Sequence, residues 1–203
     1  SQRRKGKIMT AITPLESVHK KGLFGDHHKK NEKDLLKISE VSNLTIIQIV
    51  KYKKSKININ TIKIDGIEFP QENSNVGCDQ KTRILCTGPN IWVVMSKKEN
   101  IEKNILQKCG VDDFAVTDIS HSRAIIQIAG LQAKEVLKKG CPINFDEFKK
   151  NNCAGSVFHG INIVVDCIDD EKQIYNLSTL RSFGESFHHH ITDSCLEFGY
   201  LGI

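Results

Sequence analysis

The sequence predicts an α+β fold, on three observations. Short segments rich in β-branched residues recur along the chain. Two stretches carry an apolar face at helical spacing between helix start and stop signals. The two kinds of element interleave without the one-to-one alternation of a doubly wound parallel sheet.

Taken in order, Thr10 to Ile38 hold few large apolar side chains, and Gly22 to Lys33 form a dense cluster of Gly, Asp, His and Lys. That composition buries too little apolar area to offset the entropy of ordering, so residues 1–38 are expected to be a basic, flexible arm unless something holds them. Residues 1–8 precede Met9, read as upstream sequence, and carry no argument. Residues 39–203 are expected to form the compact body, in two packed halves of about 39–118 and 119–203.

Leu44 to Tyr52 (LTIIQIVKY) reads as a strand. From Lys53 to Ile64 the isoleucines at 57, 59, 62 and 64 fit neither the helical nor the strand period, and both remain open. A loop with Pro70, Asn73, Asn75 and Gly77 leads to strands at Arg83–Cys86 and Ile91–Met95, joined by the turn Thr87–Asn90. Ser96 and Glu99 then form an S-x-x-E capping box. Ile101, Ile105, Leu106 and Cys109 line one face of the following helix, with Gly110 as a left-handed stop. Phe114–Asp118 and Ala124–Ile128 are strands around the polar turn Ser120–Arg123. Gly130 opens a short helix with Ala133, Val136 and Leu137 inward, ended by Gly140 and Pro142. Ser156–Phe158, Ile161–Cys167 and Gln173–Leu177 read as strands, the last two joined through Asp169 and Asp170. A second box, Ser182 with Glu185, opens the final helix; Phe183, Phe187, Ile191, Cys195 and Phe198 share its face and Gly199 ends it.

Composition excludes several classes of function. The longest apolar runs, such as Ile161 to Ile168, are broken by Asn162 and Asp166 and fall far short of the ~20 residues of a membrane span. The basic residues 1–8 are followed by no apolar stretch with a cleavage site, so they make no secretory signal. Seven cysteines with no CxxC pair suggest neither a zinc site nor a disulfide framework, but reduced thiols packed as small apolar residues in a cytoplasmic protein. Through Lys37 the chain carries a net charge of +6, and the remainder carries −1. A basic tail on a nearly neutral body is a solvated or partner-wrapping arm, not the basic stripe of a nucleic-acid binder.

Four stretches, RILCTGPNIWVVMS (Arg83–Ser96), DISHSRAIIQIAG (Asp118–Gly130), VLKKGCPINF (Val136–Phe145) and RSFGESF (Arg181–Phe187), resemble the sarcosine oxidase gamma subunit family, and the match in order and spacing runs from about Leu44 to Gly199. That family is similar in fold to the folate-binding region of aminomethyltransferases, built from ferredoxin-like β-α-β units. The resemblance implies that Lys53–Ile64 is helical. It also implies that catalysis belongs to other subunits: the large ones carry FAD, FMN, NAD and tetrahydrofolate, and a small one carries zinc. The expected partners are the alpha, beta and delta subunits, with contact mainly to alpha. The assembled enzyme would demethylate sarcosine to glycine, pass the carbon to tetrahydrofolate or release formaldehyde, and form hydrogen peroxide. The alternatives are the matching subunit of a related N-methyl amino acid dehydrogenase, or a free-standing folate-binding or aminomethyltransferase-like protein.

Four clusters of polar residues invite a catalytic or metal-binding role. His188, His189 and His190 are consecutive, so on a helix they point about 100° apart and do not converge on one ion. Asp118, Ser120 and His121 make a strand-end turn with no nucleophile elbow beside it. The Gly-Gly-Ile-x-Asp-Asp hairpin of aminomethyltransferases has no counterpart in HGINIVVDCIDDEKQIYNL (His159–Leu177), where Asp169 and Asp170 sit in a plain turn. Lys139-Gly140-Cys141 is similar to the KGC signature of folate-dependent iron-sulfur maintenance proteins, but the aromatic residue and Gly-Gln that follow there are here Pro142-Ile143-Asn144. No catalytic, cofactor-binding or metal-binding residue is therefore assigned to this chain.

Overall fold

The computed structural model describes residues 12–28 and 30–203. In chain order the elements are β1 (Gly22–Phe24), β2 (Leu36–Glu40), β3 (Thr45–Lys51), β4 (Lys63–Ile64), β5 (Ile67–Glu68), β6 (Val76–Cys78), β7 (Thr82–Gly88), β8 (Ile91–Ser96), α1 (Ile101–Lys108) and β9 (Phe114–Asp118). Then follow β10 (Arg123–Ala129), α2 (Ala133–Lys138), β11 (Cys153–Phe158), β12 (Ile161–Asp169), β13 (Ile174–Leu180), α3 (Gly184–Cys195) and β14 (Tyr200–Gly202). This is the α+β architecture that the sequence predicts.

Both large sheets contain a ferredoxin-like strand order. In the five-stranded sheet, β6-β7-β8-β3-β9, the first, second, third and fourth strands of the unit are β3, β7, β8 and β9, with α1 linking the last two. In the seven-stranded sheet, β1-β14-β2-β10-β13-β12-β11, the corresponding strands are β10, β12, β13 and β14. Here β2 is inserted between β10 and β14, antiparallel to the first and parallel to the second.

Each sheet has one face under helices and loops and one face toward the other sheet. In the five-stranded sheet Ile47, Ile49, Ile84, Trp92 and Val94 pack on Ile101 and Ile105 of α1 and on Cys109 just after it. In the seven-stranded sheet Ile126, Ile128, Val165, Tyr175 and Leu177 pack on Val136 and Leu137 of α2 and on Phe187 and Ile191 of α3. Residues of opposite parity along the same strands, Ile46, Leu85, Met95, Ile125 and Val164, meet between the two sheets with Cys153. The layers therefore run helix, sheet, sheet, helix.

Polar contacts pin the inter-sheet layer. Arg83 on β7 forks onto Asp166 on β12, with Nε donating to Oδ2 at 2.7 Å and Nη2 to Oδ1 at 2.6 Å. Beside it the backbone N–H of Val76 donates to the Asn151 carbonyl at 2.9 Å, and that of Cys153 to the Ser74 carbonyl at 2.7 Å.

Several sequence expectations are corrected. Lys53–Ile64 is not a helix: it holds only a 3₁₀ turn at Ile59–Thr61 before β4. Its isoleucines are β-branched and lack a helical period, and Ile59, Ile62 and Ile64 instead drop singly onto the sheet and α1. Ser96 does not cap α1; it ends β8, buried, and shares a 2.7 Å hydrogen bond with Thr82. The helix starts after Asn100 without a side-chain cap, Leu106 on it is exposed, and Gly110 is not left-handed. Ser182 lies in a 3₁₀ turn ahead of α3, and Glu185 accepts the Ser17 hydroxyl at 2.7 Å rather than closing a box.

The described part of the arm is also corrected, since residues 12–28 and 30–38 are built into the second half. Leu15, Leu36 and Ile38 are fully or almost fully buried in its core, and β1 pairs with β14. What holds the glycine- and histidine-rich stretch is close backbone packing. A Cβ on Gly25 would lie 2.3 Å from the Leu196 carbonyl oxygen, and one on Gly199 2.6 Å from that of Asp26. Residues 1–8 lie outside the described residues.

Candidate functional site

The four sequence-nominated clusters are brought into different surroundings. Ser120 donates its hydroxyl to Asp118 Oδ1 at 2.5 Å and accepts the Ile46 N–H at 2.9 Å. Its proton therefore goes to an ionised carboxylate, which the Ser120 hydrogen bonds above all, and then the nearby His121, hold below the usual range. The serine is not activated by His121, and the three residues form no triad.

The three histidines diverge. His188 is buried, and its Nε2 lies 3.2 Å from Nδ1 of His19. His19 Nε2 lies 2.9 Å from the Ile203 carbonyl, to which it donates. Burial first, then His19 and His189, push the His188 imidazole down to about 4. His189 is exposed, and His190 lies against the ring of His159, 5.4 Å between centroids. Among the described residues no three His, Cys, Asp or Glu side chains are placed to hold a metal ion.

Lys139, Gly140 and Cys141 pack α2 against its neighbours. Lys139 Nζ donates to the Ser194 carbonyl at 2.6 Å near the end of α3 and sits 4.9 Å over the Phe198 ring. A Cβ at Gly140 would press on His159 at 2.9 Å, and the buried Cys141 thiol faces Ser156 Oγ at 3.3 Å. Asp169 and Asp170 serve the turn after β12, accepting the backbone N–H of Lys172 at 2.8 Å and of Lys150 at 3.0 Å.

The feature the sequence reading missed is a cleft at one end of the inter-sheet layer, with a cavity of about 140 Å³. The β2–β3 connection, the turn after β9 and the start of the segment before α3 enclose it. Its walls include Val41, Leu44, Ile46 and Ile125, and its polar side carries His121, Arg123 and Arg181. Arg123 shares strand parity with Ile125 and so faces the other sheet. Its guanidinium is half-buried, and burial lowers its proton affinity. The available signal was an arginine at an inward position of the strand segment RAIIQIA.

Comparison of the whole structure shows what this arrangement resembles. It superposes on a chain of the heterotetrameric sarcosine oxidase from Corynebacterium sp. U-96, solved in complex with pyrrole 2-carboxylate. The TM-score is 0.78, over 93% of this chain and 96% of that one, at 20% identity. The fold is that of a sarcosine oxidase subunit.

The same fold extends to the glycine cleavage system aminomethyltransferase T from Bartonella henselae, with a TM-score of 0.58 and 11% identity over 84% of this chain. The match takes up only 49% of that protein, so the chain spans about half the length of the aminomethyltransferase but nearly all of the sarcosine oxidase chain. No protein-family model and no curated protein matches the sequence.

Proposed function

We propose that this chain is the gamma-type subunit of a heterotetrameric sarcosine oxidase and performs no chemistry itself. The observation that carries the reading is the extent of the match. It covers 93% of this chain and 96% of the sarcosine oxidase chain, so a polypeptide of nearly this length and fold occurs as one component of that enzyme. The half-length match to the aminomethyltransferase supports the same reading, because the rest of that protein has no counterpart here.

In this reading the flavins, NAD, tetrahydrofolate and zinc belong to the other subunits. The chain packs mainly against the alpha subunit and stabilises it while the assembly oxidises the CH–NH donor sarcosine. Three physical features support a binding role. Ser120 is tied to Asp118, no metal-binding trio exists among the described residues, and the turn carboxylates are bonded to backbone. Among the described residues no helix is long and apolar enough to cross a membrane.

The test is co-expression with an alpha-like subunit, followed by size-exclusion chromatography and calorimetric titration of tetrahydrofolate into the lone chain. Co-migration without tight folate binding is the expected result. Tight folate binding by the lone chain, with no co-migration, overturns the subunit reading and favours a free-standing folate protein.

A further inference from the structure

We infer that the cleft at the end of the inter-sheet layer binds a small organic carboxylate, received by the guanidinium of Arg123. The inference starts from an electrostatic imbalance. Arg123 is half-buried, yet among the described residues no carboxylate lies within ion-pair distance of it and no hydrogen bond engages its side chain. Arg83, the other arginine facing the inter-sheet layer, is matched by a bidentate carboxylate. A partly desolvated cation without a counter-ion is costly, and the protein groups around Arg123 do not supply one.

The lining strengthens the imbalance. Arg181 and His121 add two further basic side chains, and among the described residues no Asp or Glu lines the cleft. Among the described residues Arg181 engages only the Ile12 carbonyl, at 3.0 Å. His121 is partly compensated by Asp118 just outside the cleft, which leaves Arg123 as the group in need of an anion. Ser42 and Asn43 line the same space, and their side chains make no hydrogen bonds among the described residues, so donors are available beside the guanidinium.

Size and wall chemistry select the anion. An engineered cavity of about 150 Å³ takes up one benzene, so a cleft of about 140 Å³ takes a body of similar bulk. The apolar wall formed by Val41, Leu44, Ile46 and Ile125 gives no hydrogen bonds from its side chains to a fully polar oxyanion such as phosphate. A carboxylate with a short aliphatic or aromatic body satisfies both sides, because its two oxygens match the planar guanidinium fork and its body covers the apolar wall.

The experiment is an amide-resolved NMR titration of the full chain with benzoate at neutral pH, with benzyl alcohol and inorganic phosphate as parallel arms. Benzoate should saturate in the millimolar range or tighter and shift the amides of residues 41–46 and 119–125. Arg123→Met should weaken benzoate roughly 10- to 100-fold, the range for a lost charge-assisted hydrogen bond, and Arg123→Lys should weaken it less. Benzyl alcohol binding as tightly as benzoate would show an apolar hole and overturn the inference. Phosphate binding more tightly than benzoate would overturn the organic class, and absence of saturation would overturn the site. Should Arg123→Met fail to fold, the exposed Arg181→Met and Arg123→Lys carry the same comparison, and unchanged affinity in both would refute it.

Discussion

Replacing Arg83 by Met tests how the two halves are held together. The structure gives the size of the effect. Asp166 is 2% exposed, and its only hydrogen-bond donors among the described residues are Nε and Nη2 of Arg83, so the substitution leaves a buried carboxylate with no partner. Burial already pushes the Asp166 carboxyl up against the pull of Arg83. For Arg83 itself, burial lowers the proton affinity and the paired carboxylate more than restores it. Breaking such a pair from one side costs about 3–5 kcal/mol, a large part of a typical domain stability of about 5–15 kcal/mol. The cost depends on pH with a definite sign. Without Arg83 the folded-state pKa of Asp166 rises further above its unfolded value, so the buried group is tolerated when protonated and penalised when charged. The deficit is then largest at pH 8 and shrinks as pH falls through the raised pKa, by up to about 1.4 kcal/mol per pH unit. Urea unfolding at pH 8 and pH 5, followed by fluorescence of the single, buried Trp92, reads both quantities. Replacing both partners, Arg83→Met with Asp166→Leu, should recover much of the loss. A loss below about 1 kcal/mol at both pH values would put the pair in the class of surface ion pairs and refute the assignment.

Other outcomes follow from the same geometry. Cys78 is the one exposed thiol of seven, and burial pushes Cys153, Cys167 and Cys195 up to about 12; a thiol reagent at neutral pH should count one cysteine in the native chain and seven in urea. The buried His188 folds neutral with its pKa pushed down to about 4, so its contribution is complete above an unfolded value near 6.5 and is lost as pH falls from there toward 4. His188→Leu should flatten that stretch of the stability curve, and an unchanged slope would remove His188 as its source. Gly25 has φ +70° and lies against the Leu196 carbonyl, so Gly25→Ala should cost at least about 2 kcal/mol and raise hydrogen exchange at Gly22–Phe24; protection equal to the parent would count against the close packing.

Most strands and the three α-helices among the described residues were legible in the sequence because each carries its own local pattern of apolar residues. The stretches LTIIQIVKY and AIIQI carry β-branched residues at strand spacing, and Phe187, Ile191 and Cys195 mark a helical face. Where the reading went wrong, distant partners had decided the outcome. Ser96 has the sequence of a cap, but Thr82, fourteen residues earlier, takes its hydroxyl into the sheet, and the helix begins later. Ile57 to Ile64 offer no period of their own, and their conformation is set by α1 and the sheet beneath them. β2 was absorbed into the arm because LKISE is short and polar between charges; only β10 and β14, both far along the chain, give it a place.

The cleft was illegible for a related reason, and its position ties the pieces together. Two of the four stretches that resemble the gamma family, Asp118–Gly130 and Arg181–Phe187, bring His121, Arg123 and Arg181 to one point, while the remaining walls come from residues 41–46 and from residues 12–14 of the supposed arm. In the sequence these lie in four separate segments, and nothing in any one of them marks an arginine as unpaired. Pairing is a property of the inter-sheet layer, where Arg83 finds Asp166 and Arg123 finds no carboxylate among the described residues. The same layer therefore contains one charge pair that closes the fold and one unmatched cation that leaves a place for an anion.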